Sequence, residues 1–239
     1  MTTTPDAART VEPFPLDVDA ILLDMDGTLV DSGAAVERSW NRLLDELGLE
    51  TRFTHTMHGV PARLSLRQLL PDASEEQLDA AHRRIEEIEI GDVDGIEVLP
   101  GTARVLAELE AASAARGRPA WTIVTSCTRE LFEARWATTG LPAPAATVTA
   151  DQVTRGKPDP EPFVTGATRL GIAPARCLAV EDSLGGIRSA GGAGCRTVAV
   201  TTTTPAADLT DLADALITSL DDIEVTVHEG RLRVQRRGA

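Results

Sequence analysis

Lysine is almost absent from this chain: of its 23 basic side chains only Lys157 is a lysine, and the others are arginines. Replacement of surface lysines by arginines is a common drift in composition, so the scarcity alone carries no functional information. Basic residues are also outnumbered by 37 aspartates and glutamates, which gives the 239-residue chain a formal net charge of −14. Because binding to nucleic acid or to an anionic membrane requires a basic face, this imbalance argues against both partners.

Cysteines and long apolar runs are scarce as well. Cys127, Cys177 and Cys195 are widely spaced and form no CxxC pair, which favours reduced, buried thiols and a cytoplasmic protein. No apolar run approaches the roughly 18–20 residues of a transmembrane helix. Residues 1–15 lack the charged and apolar regions of a signal peptide and are expected to form a polar extension. The remainder, with 42% hydrophobic and 25% charged residues, has the composition of a soluble globular protein.

Strands and helices alternate along most of the chain. An apolar run over residues 19–23 predicts a strand that is covered on both faces, as in a parallel sheet. Further strands are predicted at 120–124, 146–148, 177–180 and 197–200, with helical segments between them. Such alternation is typical of βαβ units and therefore predicts a parallel sheet.

Two segments depart from this alternation. Residues 32–96 show helical periodicity and no convincing strand, which predicts a four-helix cap inserted into a core of residues 16–31 and 97–222. Residues 223–239 alternate at period two around Gly230, which predicts a C-terminal hairpin at an edge of the sheet, followed by a tail. The predicted fold class is α/β: a Rossmann-like parallel sheet core with an inserted all-helical cap and a C-terminal edge hairpin.

Clusters of polar residues follow strands of the predicted core. They are Asp24 with Asp26, Thr125 with Ser126, Lys157, and Glu181 with Asp182. Because the carboxyl ends of parallel strands lie along one edge of a sheet, residues more than 150 positions apart can converge there. Each cluster alone has a simpler interpretation as a turn, a helix cap or a surface residue. Their shared placement favours one functional site.

These clusters belong to motifs that occur in the order LLDMDGTLVDS, VTS, GKPDP and VEDSLGG. In both motif content and order the chain resembles the haloacid-dehalogenase superfamily, which consists mostly of phosphohydrolases. The resemblance covers residues 18–234, and the helical insertion is similar to that of the phosphoglucomutase-like branch. It implies a phosphomonoesterase that acts on a small phosphorylated metabolite as a monomer or small homo-oligomer.

The resemblance also implies a role for each polar residue. Asp24 corresponds to a nucleophile that forms an aspartyl-phosphate, and Asp26 to a general acid/base. Two aspartates close together raise the pKa of one of them, which then can act as an acid near neutrality. Thr125 and the backbone N–H of Ser126 would hold the phosphoryl oxygens, while Lys157 would neutralise phosphate charge and position Asp24.

A magnesium site is implied at the same place. Asp182, with Glu181, would complete it together with a carboxylate oxygen of Asp24 and the backbone carbonyl of Asp26. Mg²⁺ prefers oxygen ligands, and this set contains neither histidine nor cysteine.

Details of the motifs separate the possible activities. Dehalogenases of the superfamily lack the second motif aspartate, which is present here as Asp26. Phosphonatases need a lysine in the cap, and the single lysine at position 157 lies outside it. β-Phosphoglucomutase-like enzymes have a histidine where this chain has Val36, which weakens the alternative of a phosphosugar mutase. A catalytically silent binding or regulatory relative is the other alternative, although it would have no chemical reason to keep the polar residues.

Shorter segments narrow the expected substrate. AVERSW (35–40), HG (58–59), GIEVLPG (95–101) and GLPAP (140–144), with the terminal hairpin, are similar to bacterial phosphatases of sugars and polyols. Glycerol-phosphate phosphatases share the HG and LPG features. In the cap, His58, Gly59 and Arg63 are the candidates for substrate binding, whereas packing and a solvated face are the simpler interpretations of His58 and Arg63.

Two further features complete the expectations. Cys127 stands in the second motif where a glycine is common, which is expected to narrow the phosphate loop. Acidic pairs such as Glu86 and Glu87 are interpreted as solvated surface.

Overall fold

The computed structural model of the chain describes residues 14–53 and 62–238. The predicted polar extension therefore lies almost entirely outside the described residues. So do His58 and Gly59, and their predicted substrate role stays a prediction. Within the two described ranges, no helix is long and apolar enough to cross a membrane.

Eleven strands and eight α-helices are assigned in the described residues. The strands are β1 (Leu16–Val18), β2 (Ala20–Leu23), β3 (Val30–Asp31), β4 (Glu97–Val98), β5 (Trp121–Val124), β6 (Thr147–Val148), β7 (Cys177–Glu181), β8 (Arg196–Val200), β9 (Ala215–Ile217), β10 (Ile223–His228) and β11 (Arg231–Arg236). The helices are α1 (Gly33–Glu46), α2 (Ala62–Leu69), α3 (Glu75–Gly91), α4 (Thr102–Arg116), α5 (Arg129–Ala137), α6 (Glu161–Arg169), α7 (Leu184–Gly192) and α8 (Ala206–Leu209).

The main sheet has six parallel strands in the order β6-β5-β2-β7-β8-β9. This confirms the predicted parallel α/β core. The strand β2 lies inside the sheet, between β5 and β7, and both of these neighbouring strands come from much later in the sequence. The carboxyl end of such a strand, where successive crossovers leave in opposite directions, is the usual ligand site of an open α/β sheet.

Both faces of this sheet are covered, which explains the continuous apolar runs of its strands. Along β2, Ile21 and Leu23 point into one hydrophobic cluster with side chains of α4 and α5. Ala20 and Leu22 point into the other, with side chains of α6 and α7. The alternation follows from the two-residue period of a strand, and burial on both faces is typical of parallel sheets.

The cap helices α1, α2 and α3 lie between β3 and β4 and have a hydrophobic core of their own. That core includes Leu43, Leu44, Leu66 and Ile85. Three helices thus lie in the described part of the cap, where four were predicted, and residues 54–61 fall outside the description. The strands β3 and β4 pair antiparallel, so the chain enters and leaves the cap side by side.

The C-terminal hairpin forms as predicted, but its partner differs from the prediction. The strands β10 and β11 do not extend the parallel sheet: they join β1 in a separate three-stranded antiparallel sheet, in the order β1-β11-β10. Leu16 pairs with Val234 and Val18 with Leu232. Because Leu16 and Val18 alternate with a polar residue as the hairpin strands do, β1 offers a matching apolar face to the hairpin.

Candidate active site

Three neighbouring strands end at the same edge of the sheet and bring the predicted site residues together. In the register of β2 with β7, Leu23 pairs with Val180, so Asp24 and Glu181 follow at the same level. In the register of β2 with β5, Leu23 pairs with Ile123. Thr125, which follows β5, is therefore close to the same level. This parallel register converts distant sequence positions into one cluster.

Lys157 lies at the centre of this cluster. Its side chain is only 6% exposed, and its Nζ is 2.6 Å from Asp24 Oδ1 and 2.6 Å from Glu181 Oε1. The same ammonium donates to the backbone carbonyl of Val124 at 2.8 Å. Burial lowers the pKa of Lys157, but the carboxylates of Asp24 and Glu181 outweigh that effect and leave the pKa above its ordinary value.

The carboxylates around Lys157 outnumber it. Asp24, Glu181 and Asp182 are all buried, and one oxygen from each lies within 4.8 Å of the others. Burial raises the pKa of Asp24 well above its usual range, and repulsion by Glu181 and Asp182 adds to the increase. Burial and the charge of Glu181 raise the pKa of Asp182 to about 7. When all three carboxylates are ionised, they exceed the one ammonium by two negative charges, which a divalent cation would balance.

Glu181 is held rigidly by the loop that follows it. Its Oε2 accepts hydrogen bonds from the backbone N–H groups of Asp182 and Ser183, both at 3.0 Å, and from the Ser183 hydroxyl at 2.9 Å. Gly186, in the first turn of α7, packs directly on the carboxylate: a Cβ there would lie 1.7 Å from Glu181 Oε1. Of the two glycines at 185–186, the second is therefore required, because no larger residue would fit against Glu181.

The DMDGT segment forms a tight turn that also contacts the acidic cluster. The backbone N–H groups of Thr28, Leu29 and Val30 all point to the carbonyl of Met25. Gly27 has a φ of +82°, and a Cβ at this position would lie 2.2 Å from Asp182 Oδ2. A side chain is therefore excluded both by backbone conformation and by space.

The carboxylate of Asp26 is held by side chains other than Lys157. Its Oδ1 accepts from the Ser32 hydroxyl at 2.6 Å and from Arg135 NH1 at 2.9 Å. The Cys127 thiol lies 3.1 Å from its Oδ2. Burial and the charge of Asp26 raise the pKa of Cys127 well above its ordinary value, so this thiol is a neutral donor.

Thr125 and Ser126 begin the loop after β5. Thr125 is buried, and its hydroxyl oxygen accepts from the backbone N–H of Cys127 at 3.1 Å. Ser126 is exposed. The role of Thr125 and Ser126 in holding phosphoryl oxygens stays a prediction.

Arg63 is engaged within the cap. It pairs with Asp79 and, at 2.7 Å, with Glu75, and both partners belong to α3. Its bonds thus join α2 to α3, and none of them leads to the carboxylates of the core. The role in substrate binding predicted for Arg63 stays a prediction.

Several contacts of the site gave no sequence signal. Thr203 donates to Asp182, and Arg135 bonds Asp26. The interpretation of Glu86 as solvated surface is wrong, because its carboxylate accepts a hydrogen bond from Thr128 at the start of α5. Its neighbour Glu87 is exposed, as expected. Thr203, Arg135 and Glu86 all lie outside the four motifs, so motif spacing did not indicate that they contact the site.

Comparison with known proteins shows which family the chain is similar to. Residues 18–194 match the family model of the haloacid dehalogenase-like hydrolases. The chain is 41% identical to hexitol phosphatase A of Escherichia coli (strain K12) over 206 residues, which cover 86% of this chain and 93% of the relative. It is 28% identical to glycerol-1-phosphate phosphohydrolase 2 of Saccharomyces cerevisiae over 208 residues, covering 81% and 79% of the two chains.

The fold is similar to solved structures as well. The crystal structure of CbbY from Rhodobacter sphaeroides in complex with phosphate superposes with a TM-score of 0.73 at 25% identity, covering 85% of this chain and 95% of the other. The chain belongs to the haloacid dehalogenase-like hydrolases.

Proposed function

We propose that this phosphatase hydrolyses small phosphorylated sugars or polyols with Mg²⁺ as cofactor and through an aspartyl-phosphate on Asp24. The observation that carries the proposal is the buried ammonium of Lys157 bonded between Asp24 and Glu181 at the end of the central strand. The substrate class is supported by the hexitol and glycerol-1-phosphate phosphatases among the relatives.

The residues of the acidic cluster fit a divalent cation. They supply only hard oxygen donors, are buried, and carry two negative charges more than Lys157 can neutralise. Asp24 and Asp182 are the ligands we propose. We assign Glu181 instead to holding Lys157 and the following loop, because its two oxygens already accept four hydrogen bonds. When bound, Mg²⁺ would supply positive charge to the phosphoryl oxygens.

The reaction then proceeds in two displacements. A carboxylate oxygen of Asp24 attacks phosphorus, the bond from phosphorus to the substrate oxygen breaks, and Asp26 gives that oxygen a proton. In the second step Asp26 takes a proton from a water molecule, whose oxygen attacks phosphorus and releases phosphate and the carboxylate of Asp24. Lys157 fixes the Asp24 carboxylate through its 2.6 Å bond and contributes positive charge beside the transferred group.

The second motif and the cap would complete the site. The Thr125 hydroxyl and the backbone N–H of Ser126 are proposed to donate to phosphoryl oxygens. The cap is proposed to exclude bulk water and to contact the leaving group, with boundaries at residues 32–96. The phosphosugar mutase alternative lacks support in α1, because Val36 packs against the hydrophobic core of the cap and offers no proton-transferring group.

Two measurements on a panel of sugar and polyol phosphates test this function. Wild-type enzyme should release inorganic phosphate with Mg²⁺ and lose that activity with a chelator. Asp24→Asn should reduce release to the level of a blank and abolish labelling of the protein by ³²P-substrate in acid-quenched samples. Asp72→Asn, an exposed position on the cap, is the matched control and should behave as wild type. Unchanged release by Asp24→Asn, or transfer of phosphate within a hexose phosphate without net release, would contradict the proposal.

A further inference from the structure

A buried arginine connects the cap to the proposed general acid/base. Arg135 lies on α5, and its side chain is only 5% exposed. Its NH1 is 2.9 Å from Asp26 Oδ1 and 3.3 Å from the sulfur of Cys127. Its NH2 is 3.4 Å from Oε1 of Glu89, which lies in the last turns of the cap helix α3. One guanidinium therefore bonds a core carboxylate and a cap carboxylate at once.

Burial of Arg135 destabilises the folded protein unless both carboxylates are present. Burial of a guanidinium has a desolvation cost that only well-placed acceptors offset, and removal of one partner from a buried pair leaves an uncompensated charge. Burial raises the pKa of Glu89 to about 7, with Arg135 acting in the opposite direction and the carboxylates of Asp26 and Glu86 adding to the increase. Glu89 is thus a buried partner of the guanidinium and not a solvated surface acid.

The same contacts leave the carboxylate of Asp26 little freedom to rotate. Ser32 and Arg135 bond one oxygen, and Cys127 bonds the other. Ser32 and Cys127 are short neutral groups on loops, whereas Arg135 brings a charge from a helix packed on the sheet. Arg135 contacts Asp26 through NH1 alone, while its NH2 faces Glu89, so a rotation of the Asp26 carboxylate would break a charge-assisted hydrogen bond that the guanidinium, held from its other end, cannot follow.

We propose that Arg135 is a positioning residue that sets the orientation of Asp26 and that Glu89 of the cap orients Arg135 in turn. The inference rests on the proposed function, in which Asp26 protonates the leaving oxygen. It assigns to α3 a contribution to acid catalysis that is made through Arg135 and without contact with the substrate.

The dependence of the rate on the leaving group tests this inference. An alkyl phosphate such as glycerol 1-phosphate needs a proton on its leaving oxygen, whereas the phenolate of p-nitrophenyl phosphate leaves without one. Arg135→Gln should lower kcat/KM for glycerol 1-phosphate by about 10- to 100-fold and that for p-nitrophenyl phosphate by less than about 3-fold. An equal loss on both substrates would overturn the positioning role, because general damage to the site does not distinguish them.

Three further variants separate the possible failures. Asp26→Asn should show the same selectivity more strongly; if it does not, the proposed role of Asp26 fails and the inference fails with it. If Asp26→Asn is selective and Arg135→Gln is not, only the inference is wrong. Arg135→Lys keeps the charge with a shorter reach and should show a smaller selective loss, so it provides the test if Arg135→Gln does not fold. The exposed Arg129 on the same helix is the matched control: Arg129→Gln should leave both rates unchanged.

A double-mutant cycle tests the contribution of Glu89. Glu89→Gln should cause a selective loss of a few-fold in the wild-type background and no further loss in the Arg135→Gln background. Glu87→Gln, at an exposed position on the same helix, should have no effect in either background. Additive effects of Glu89→Gln and Arg135→Gln would show that Glu89 does not act through Arg135.

Discussion

Substitution of Gly186 by alanine should lower both activity and stability, although it replaces no residue that is proposed to contact the substrate. A Cβ at position 186 would lie 1.7 Å from Oε1, 1.8 Å from Cδ and 2.2 Å from Oε2 of Glu181. The Glu181 side chain is 1% exposed, and both of its carboxylate oxygens are held by hydrogen bonds. To reach an ordinary contact distance, the carboxylate or the helix α7 must shift by more than 1 Å.

The expected loss of stability depends on the interactions of the Glu181 carboxylate that the substitution would disturb. Overpacking of a buried site costs about 1–3 kcal/mol, and complete loss of a buried ion pair costs about 3–5 kcal/mol. Alanine in place of a helical glycine offsets about 1 kcal/mol of this. We expect the free energy of unfolding to fall by about 3 kcal/mol. The turnover should fall by at least ~10-fold, because Lys157 loses the acceptor that fixes it beside Asp24.

The neighbouring glycine provides a matched control for this substitution. A Cβ at Gly185 meets no atom within 4 Å, and its φ is not positive. Gly185→Ala should therefore leave activity unchanged and raise stability by up to about 1 kcal/mol. Urea unfolding and phosphate release measured side by side on both variants check the prediction. If Gly186→Ala matched wild type in both assays, Glu181 would not be the fixed anchor of Lys157 described above.

Two further predictions concern the charges of the cluster. Lys157→Arg should lower kcat/KM for the best sugar phosphate by about 100-fold, because a planar guanidinium cannot place one nitrogen against three acceptors as the ammonium does; near-normal kinetics would remove the need for a compact charge. In metal-free protein, burial raises the pKa of Asp182 to about 7, above the value that it has in the unfolded chain. Protonation of Asp182 therefore stabilises the folded state at acid pH, and this contribution to the free energy of unfolding is lost as the pH rises through about 7. Thermal melts between pH 5 and 8.5 should show this decline in wild type and less of it with Mg²⁺ or in Asp182→Asn, and a pH-independent Tm would contradict the assignment.

The sequence predicted those parts of the fold and the site that depend on local pattern. The alternation of apolar strands and helices was sufficient for the parallel core, and placement after strand ends was sufficient to bring Asp24 and Glu181 together. These predictions succeeded because the register of a parallel sheet carries strand ends to one edge.

The parts that were not predicted depend on contacts between distant segments. The strand Leu16–Val18 is too short for a periodic signal, and only its pairing with β11 makes it a strand. Arg135 is one arginine among many in an arginine-rich chain, and its partners Asp26 and Glu89 are 109 and 46 positions away. Nothing in its own helix distinguishes it from Arg129.

The pairing of β1 with β11 has a consequence for how the chain is made. Ribosomal synthesis delivers Leu16 and Val18 more than 200 residues before their partners Val234 and Leu232. Until then the two apolar side chains of β1 have no strand to pair with, although in the finished protein they are buried in the same cluster as Leu23. Closure of the small sheet therefore has to wait for synthesis of the hairpin, and a polypeptide that ends before Arg231 would leave one side of the main hydrophobic core open to chaperones, proteases and other nascent chains.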